Sequence, residues 1–567
     1  MVMRDGSSRP GRLLVPVWLV AVAVGIIALG LCLWRLMPGV GFWDTAEFQT
    51  VLPVMGTAHP TGYPTYVLVG WLASVVLQPL GEPALRVNVL SAILVAIGAG
   101  MTVDLVRRLS GSVLVGIAAG LGIAVTPIVW AIGTHADPHA LHFAFVAIIL
   151  WLLVRWEQVL RGDPFADRTG PAAPDQVHDT RHADRLLLAA AVVAGLSVGN
   201  HSLTLLLGPP IILFVLAVDP GILRRRRFIA ANVAAFAIPT VLVRFEMILR
   251  AGWFRAPFVY ADPSTWSGFW YVTLGAQFHG WLTDPFSNAA QRIAALIAIA
   301  VDQFGPLTAL IVVAFAVTVI RRPRYALLSG TIVALTCFFN SVYPDGAIDR
   351  YYIGPALIAW TWLAILGASV VDVATGGDPA GRRRVGDDGP GSGATGRRRA
   401  RSPREALRPV GFVVVAALLL APSLISFSDR AGSADIDETG NRAAQAWTDG
   451  VLGALEPDAV VVSWWSYSTP LWYATIVDAR RPDICIIDDR NRLDDNLGDL
   501  DQVIDRYIAT RPVYLIRNGS SELGALAGRY TIEQLAAGPA SNVLQVAATP
   551  AHGGPVAPPP GSSEPCR

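Results

Sequence analysis

The chain has 567 residues, of which 53% are hydrophobic and only 15% charged, with a mean hydropathy of +0.48. A water-soluble chain carries about 25% charged residues, so this composition excludes an ordinary soluble globular protein and points to one that spans a membrane. The net charge of +1 leaves no basic face for nucleic acid, because the arginines come in short clusters between apolar runs.

The chain opens with "MVMRDGSSRPGR" and then runs apolar from Leu13 to Trp34. That is longer than the core of about 7–15 residues in a cleaved signal peptide, so it reads as a retained first span. A hydrocarbon core of about 30 Å needs about 20 apolar residues per helix. Eleven runs meet or approach that length: 13–36, 88–106, 112–131, 140–155, 186–200, 203–218, 228–245, 304–320, 325–342, 352–372 and 409–428. Arginines 4, 9 and 12 before the first run and Arg107 with Arg108 after the second fix the cytoplasmic side. The later clusters, 224–227, 321–324, 382–384 and 397–399, then fall on the same side. This holds only if 65–80 is an interfacial or re-entrant piece. Residues 37–87 then form one long outer loop.

Residues 373–408, rich in Gly and Arg, read as a disordered cytoplasmic linker. Residues 429–548 follow the last span and read as an extracytoplasmic α/β domain. Its strands are "AVVVSW", "DICIIDD" and "PVYLIR", with helical stretches at 467–478 and 499–510. The tail 549–567, rich in Pro and Gly, reads as disordered. The four cysteines, Cys32, Cys337, Cys485 and Cys566, show no metal-ligand spacing, and no disulfide framework is expected.

Polar residues able to carry chemistry gather on the outer side of this topology. The first loop holds "WDTAEF" with Asp44 and Glu47, then "HPTGYP" with His59, and later Arg86. Further loops add "THADPHALH" with His135, Asp137 and His139, "VGNHS" with Asn200 and His201, and a segment 246–303 with Asp262, His279 and Asp284. The last is "YPDGAIDRYY" with Asp345, Asp349 and Arg350. For any one of the later-loop residues a solvated loop acid or a Pro/Gly turn is the better explanation. Asp44 and Glu47 differ: three apart, they share one face of a helical turn. Aromatic neighbours Trp43 and Phe48 are expected to desolvate them, raising the carboxyl pKa and making a better proton acceptor. "HADPH" offers metal-ligand types, but Pro138 interrupts helical spacing and no zinc or di-metal pattern is present. No metal ligand is assigned, no cofactor is called for, and a divalent metal finds no support. No Gly-rich phosphate loop follows a strand.

Taken in order, "WDTAEF", "GTAHPTGYPTYVLVG", "PLGEPALRVNVLSA", "GLSVGNHSLTLLLGPP" and "DRYYIGPALIAW" resemble the transmembrane protein O-mannosyltransferase-like family. Its members are glycosyltransferases of GT-C fold. The resemblance runs from about residue 37 to 370, and the segment beginning "EPDAVVVSWW" resembles the outer domain of many bacterial members. It implies a mainly α, polytopic membrane protein, GT-C-like with about 11 transmembrane helices in the region 1–372 and helix 409–428. A small C-terminal α/β extracytoplasmic domain completes it. It also implies transfer of a mannose-like sugar from a polyprenyl-phosphate donor to a hydroxyl of a protein or glycan acceptor, with membrane lipid around it. Asp44 matches the family's first-loop acid and is the expected general base; Glu47 matches its second acid. Asp137 stands where the family usually has a glutamate in an Ala-Glu-Val-Tyr-like stretch, a departure that bears on substrate choice. His59, Arg350 and Arg86 are the expected partners of the departing phosphate, with Asp137, His201 and Asp349 as further substrate-binding candidates. The competing reading is a secondary transporter or lipid flippase, whose sites sit at the bilayer midplane with internal repeats. A third is a membrane scaffold displaying the outer domain.

Overall fold

The computed structural model describes residues 15–161, 180–343, 345–376, 406–430, 432–433, 436–517, 520–526, 528–535, 541–549, 555–559 and 565–566. The central part of the proposed linker 373–408, residues 377–405, lies outside the described residues. Each of the eleven apolar runs is helical. The helices are α1 (Val17–Trp34), α2 (Trp43–Val54), α3 (Pro64–Val76), α4 (Pro83–Ser110), α5 (Val113–Ala124), α6 (Pro127–Thr134), α7 (Pro138–Arg161) and α8 (Thr180–Val198). They continue as α9 (Gly208–Val218), α10 (Arg226–Ala251), α11 (Trp266–Leu274), α12 (Ala289–Phe304), α13 (Ile311–Arg321), α14 (Pro323–Val342) and α15 (Ile353–Ala374), followed by Arg408–Arg430. Among the described residues, eight helical stretches are long and apolar enough to cross a membrane, or nine if the bent pair α5–α6 counts as one span, short of the 11 or so expected.

Local sequence explains the boundaries. Proline opens α3, α4, α6 and α14, where its missing N–H costs nothing. The Ser112 side chain caps α5 by accepting from the Val115 N–H. α4, 28 residues long, extends about 42 Å and outruns the hydrocarbon core. α3, with 13 residues, reaches only about 20 Å and is too short to span. It lies directly on α2: a Cβ on Gly70 would meet Leu52 Cδ2 at 2.0 Å. The outward faces are apolar, as lipid contact requires; Val233, Val241 and Leu242 of α10 are all exposed.

One expected outer loop is partly helix. Residues 289–303, placed in the loop 246–303, form α12 and run on through 305–310 into α13. Gln291, Arg292, Asp302 and Gln303 interrupt its apolar pattern, yet Ile293, Ile297 and Val301 stand exposed four residues apart, a single stripe on one face.

Among the described residues, arginines of these clusters gather with acidic and amide partners at the ends of α4, α7 and α14. Arg107 and Arg108 pair with Asp104, Arg108 reaches Gln158 at 3.0 Å, and Arg324 reaches Glu157 at 3.1 Å.

The C-terminal part is a five-stranded sheet of order β2-β1-β3-β5-β4. The three expected strands are present as β1 (Val460–Ser463), β2 (Cys485–Asp488) and β3 (Val513–Ile516), all parallel, with β1 central. Two more, β4 (Tyr530–Gln534) and β5 (Val543–Ala548), extend it antiparallel. Helices fold between the parallel strands, and the valines and isoleucines of β1 to β3 fill two cores on opposite faces, as buried parallel strands do.

Two expectations fail here. Cys485 and Cys566 form a disulfide across 81 residues. Within the tail expected to be disordered, Val556 N–H donates to Asp505 and Ala557 accepts from Gln502. Val556, Ala557 and Cys566 are thus tied to the domain; residues 550–554, 560–564 and 567 lie outside the described residues. Cys566→Ser is expected to destabilise that domain by about 2–4 kcal/mol. Non-reducing peptide mapping and a melting curve check it; recovery of both thiols free from unreduced protein would contradict the pairing.

Candidate active site

α2 is short, yet Ala46 to Leu52 are buried on every side. Its polar interior is fully engaged. The Gln49 side chain accepts from Gly41 N–H and donates to Gly39 O and to Asn88 Oδ1. Asn88 in turn donates to Met37 O and accepts from Ala136 N–H. This network ties the 37–41 segment, α2, α4 and the turn before α7 into one block. Asp44, in the first turn of α2, is thereby aimed into a cavity of about 850 Å³.

Both Asp44 oxygens are occupied. Trp465 Nε1 donates to Oδ1 at 3.1 Å and Arg350 Nη2 to Oδ2 at 3.0 Å. Arg350 Nη1 reaches Asp137 Oδ2 at 3.2 Å. Asp137 Oδ1 accepts from the backbone N–H of His139 at 2.7 Å and lies 2.8 Å from its Nδ1. Pro138 therefore does not interrupt a helix: it begins α7, with Asp137 bonding back onto the first turn. A connected line, Asp44–Arg350–Asp137–His139, results, with the guanidinium between two carboxylates.

Beside it lies a second pair. Glu47, fully buried, accepts from the backbone N–H of His59 at 2.7 Å and bonds its Nδ1. Tyr63 Oη sits 3.3 Å from Nε2 of the same ring. Burial alone would lower the His59 pKa, but the Glu47 and Asp44 charges overcome this and raise it. Burial would likewise raise the Asp44 carboxyl, and here the cationic His59 and Arg350 prevail and hold it below its ordinary range. The expectation that aromatic neighbours raise the Asp44 pKa is thus reversed: cations outweigh desolvation. Asp44, Glu47 and His59 each present a ligand atom, all within 4.8 Å of one another, a spacing that could take a cation, although His59 Nδ1 and Glu47 already satisfy each other.

Of the other candidates, His59, His201 and Arg350 line the cavity with Asp44, as do His135, His279 and Asp345. His201 Nδ1 accepts from Leu203 N–H at 3.1 Å, and its ring packs on His139 and Tyr351. Glu47 and Asp137 stand behind the lining. Two candidates are elsewhere. Arg86 bonds Gly81 O and Ser74 O, closing the turn between α3 and α4, and the exposed Asp349 does not reach the cavity. Asp262 and Asp284 make local turns through Ser264 and Phe286. Sequence reasoning missed Trp465 and Arg490, which come from the C-terminal domain, and the aromatic wall formed by Phe278, Trp281, Phe339 and Tyr343.

Residues 44–220 match the family model described as the protein O-mannosyl-transferase TMEM260 N-terminal domain. The solved structure of ArnT from Cupriavidus metallidurans bound to undecaprenyl phosphate superposes with a TM-score of 0.57 at 14% identity, covering 95% of this chain and 99% of that one. The chain has the GT-C fold that ArnT shows, and its residues 44–220 are similar to the TMEM260 N-terminal domain. The apo state of ArnT gives 0.54 at 13% identity, over 93% of this chain and 97% of that one. The protein O-mannosyl-transferase TMEM260 of Mus musculus is 28% identical over 270 residues, 47% of this chain. Those residues are 33% of the mouse protein, so the chain spans about a third of the length of that relative. The resemblance read from the motifs therefore holds, and the GT-C core carries a small C-terminal sheet.

Proposed function

We propose that this multi-pass membrane protein is a glycosyltransferase that moves a sugar, mannose-like by its relatives, from a polyprenyl-phosphate donor to a hydroxyl of a protein or glycan acceptor. The observation that carries this reading is the placement of Asp44: an ionised carboxylate, fixed by an indole N–H and a guanidinium, on the wall of a cavity with an aromatic side. The acceptor oxygen attacks the anomeric carbon from the face opposite the phosphate. The new C–O bond forms as the old one breaks, polyprenyl phosphate leaves with the electron pair, and the hydroxyl proton passes to Asp44. A carboxylate of lowered pKa suffices, because the hydroxyl proton becomes strongly acidic only as its oxygen bonds to carbon. The aromatic wall suits the first isoprene units of the lipid.

The same reading places the cavity and the C-terminal domain on the extracytoplasmic side. Its support is the gathering of arginines at the opposite end of the bundle and the Cys485–Cys566 disulfide, a bond that persists in oxidising compartments. A transporter would keep its carboxylates near the bilayer midplane; Asp44 instead contacts the C-terminal domain.

The test incubates purified protein with a panel of polyprenyl-phosphate sugars and follows release of the lipid phosphate. Release from one sugar, dependent on an added hydroxyl acceptor, is expected. No release from any donor, with every acceptor class supplied, counts against the reading.

A further inference from the structure

β1 and β2 run parallel, with Ser463 opposite Asp488. Trp465 and Arg490 each lie two residues beyond that pair and leave the sheet together at its carboxyl edge, the edge at which α/β sheets hold ligands. Both line the cavity beside Asp44. Arg490 Cζ stacks 4.7 Å from the Trp465 ring centroid, whose Nε1 bonds Asp44. The backbone at this point is fixed, since Asp488 Oδ1 accepts from the N–H groups of Arg490 and Asn491 at 3.0 and 3.3 Å.

The cations around the cavity are not equivalent. Arg350 is held by two carboxylates, one of them the deeply buried Asp137. His59 is committed to Glu47. Among the described residues, the Arg490 guanidinium has the Trp465 face and no hydrogen-bonding or carboxylate partner. An incoming anion can take all of its donors without breaking an ion pair, whereas binding Arg350 would strip the charge from a buried carboxylate.

We propose that the C-terminal domain supplies the phosphate anchor of the donor site: Arg490 binds the phosphodiester of the polyprenyl-phosphate sugar, while Arg350 serves to neutralise and position Asp44 and Asp137. The proposal rests on the donor reading given above and changes the phosphate assignment expected from sequence, which fell on Arg350, His59 and Arg86. The sheet is then part of the active site, because the cation and the indole that touch donor and base both come from its edge.

The experiment measures binding of a polyprenyl phosphate and of the polyprenol of equal length to the full chain, wild type and variants. Wild type is expected to prefer the phosphate. Arg490→Gln should weaken phosphate binding about 10- to 100-fold, the loss of a charge-assisted bond, and leave polyprenol binding unchanged. Arg490→Lys should restore part of the preference, since a point charge returns without the guanidinium fork. Equal phosphate binding by Arg490→Gln and wild type overturns the proposal and leaves the donor reading intact. Equal loss of both lipids also overturns it, by making Arg490 structural. A wild-type protein that binds the two lipids alike sinks the donor reading, and this proposal with it.

Discussion

Asp44→Asn is expected to reduce sugar transfer by about 10²–10⁴-fold, the usual loss when a positioned general base is removed. The substitution is nearly isosteric. The amide oxygen can still accept the Trp465 N–H, and Arg350 keeps Asp137 as its counter-ion, so the melting temperature should move little. Turnover and melting must be read on the same preparation. Because His59 and Arg350 hold the Asp44 carboxyl below the ordinary aspartate range, wild-type activity should persist as pH falls through the ordinary carboxylate range. The sign follows from the lowered value: a group with depressed pKa keeps its ionised contribution above it and loses it only as pH falls through it. Glu47→Gln should act differently. Glu47 does not line the cavity; losing its charge removes the main support of the cationic His59, and the effect should appear chiefly as a lowered His59 pKa. Wild-type turnover by Asp44→Asn would move the base elsewhere. Asp137, the next candidate from sequence, is poorly placed for it, because it is buried behind the cavity lining whereas Asp44 is on it.

What the sequence disclosed follows from the range of the interactions involved. Apolar runs announce helices because lipid burial acts residue by residue, and all eleven appear. β1 to β3 announce themselves for the same reason, being short, mostly apolar runs, "VVVS", "CIID" and "VYLI". β4, "YTIEQ", and β5, "VLQVAA", carry mixed patterns that fit an edge or an exposed face, and their pairing partners fix them. α12 was hidden by Arg292 and Asp302, which find remote partners: Arg292 donates to Ser341 O, and Asp302 pairs with Arg430. In the site, Asp44 and Glu47 were legible from their spacing within one turn. Trp465 was not, because 421 residues separate it from Asp44 and nothing local marks an indole as a carboxylate's partner. Arg86 illustrates the converse. Its place in the first outer loop suggested substrate contact, but backbone carbonyls at the end of α3 and in the adjoining turn claim it. Cys485 and Cys566 were misjudged for the same reason of distance.

Arg350→Ala should be the most destabilising single change in the site. Arg350 is the cation between two acids, with Asp137 3% and Asp44 27% exposed at the side chain. Removing it leaves the Asp137 carboxylate buried without its guanidinium, bonded only to the His139 backbone N–H and ring. Removing one member of a buried ion pair typically costs about 3–5 kcal/mol, and the half-exposed Asp44 contact adds little to that. A clear fall in melting temperature is therefore expected, together with a rise in the Asp44 pKa, because one of its two cationic neighbours is gone. The double variant Arg350→Met with Asp137→Asn separates charge from shape. It removes the cation and the deeply buried carboxylate together, so much of the lost stability should return, while transfer stays low because Asp44 has lost the guanidinium that orients it. An Arg350→Ala protein that melts with wild type would mean that the Asp44–Arg350–Asp137 line does not hold the site together. Recovery of full transfer in the double variant would mean that Arg350 positions nothing the reaction uses.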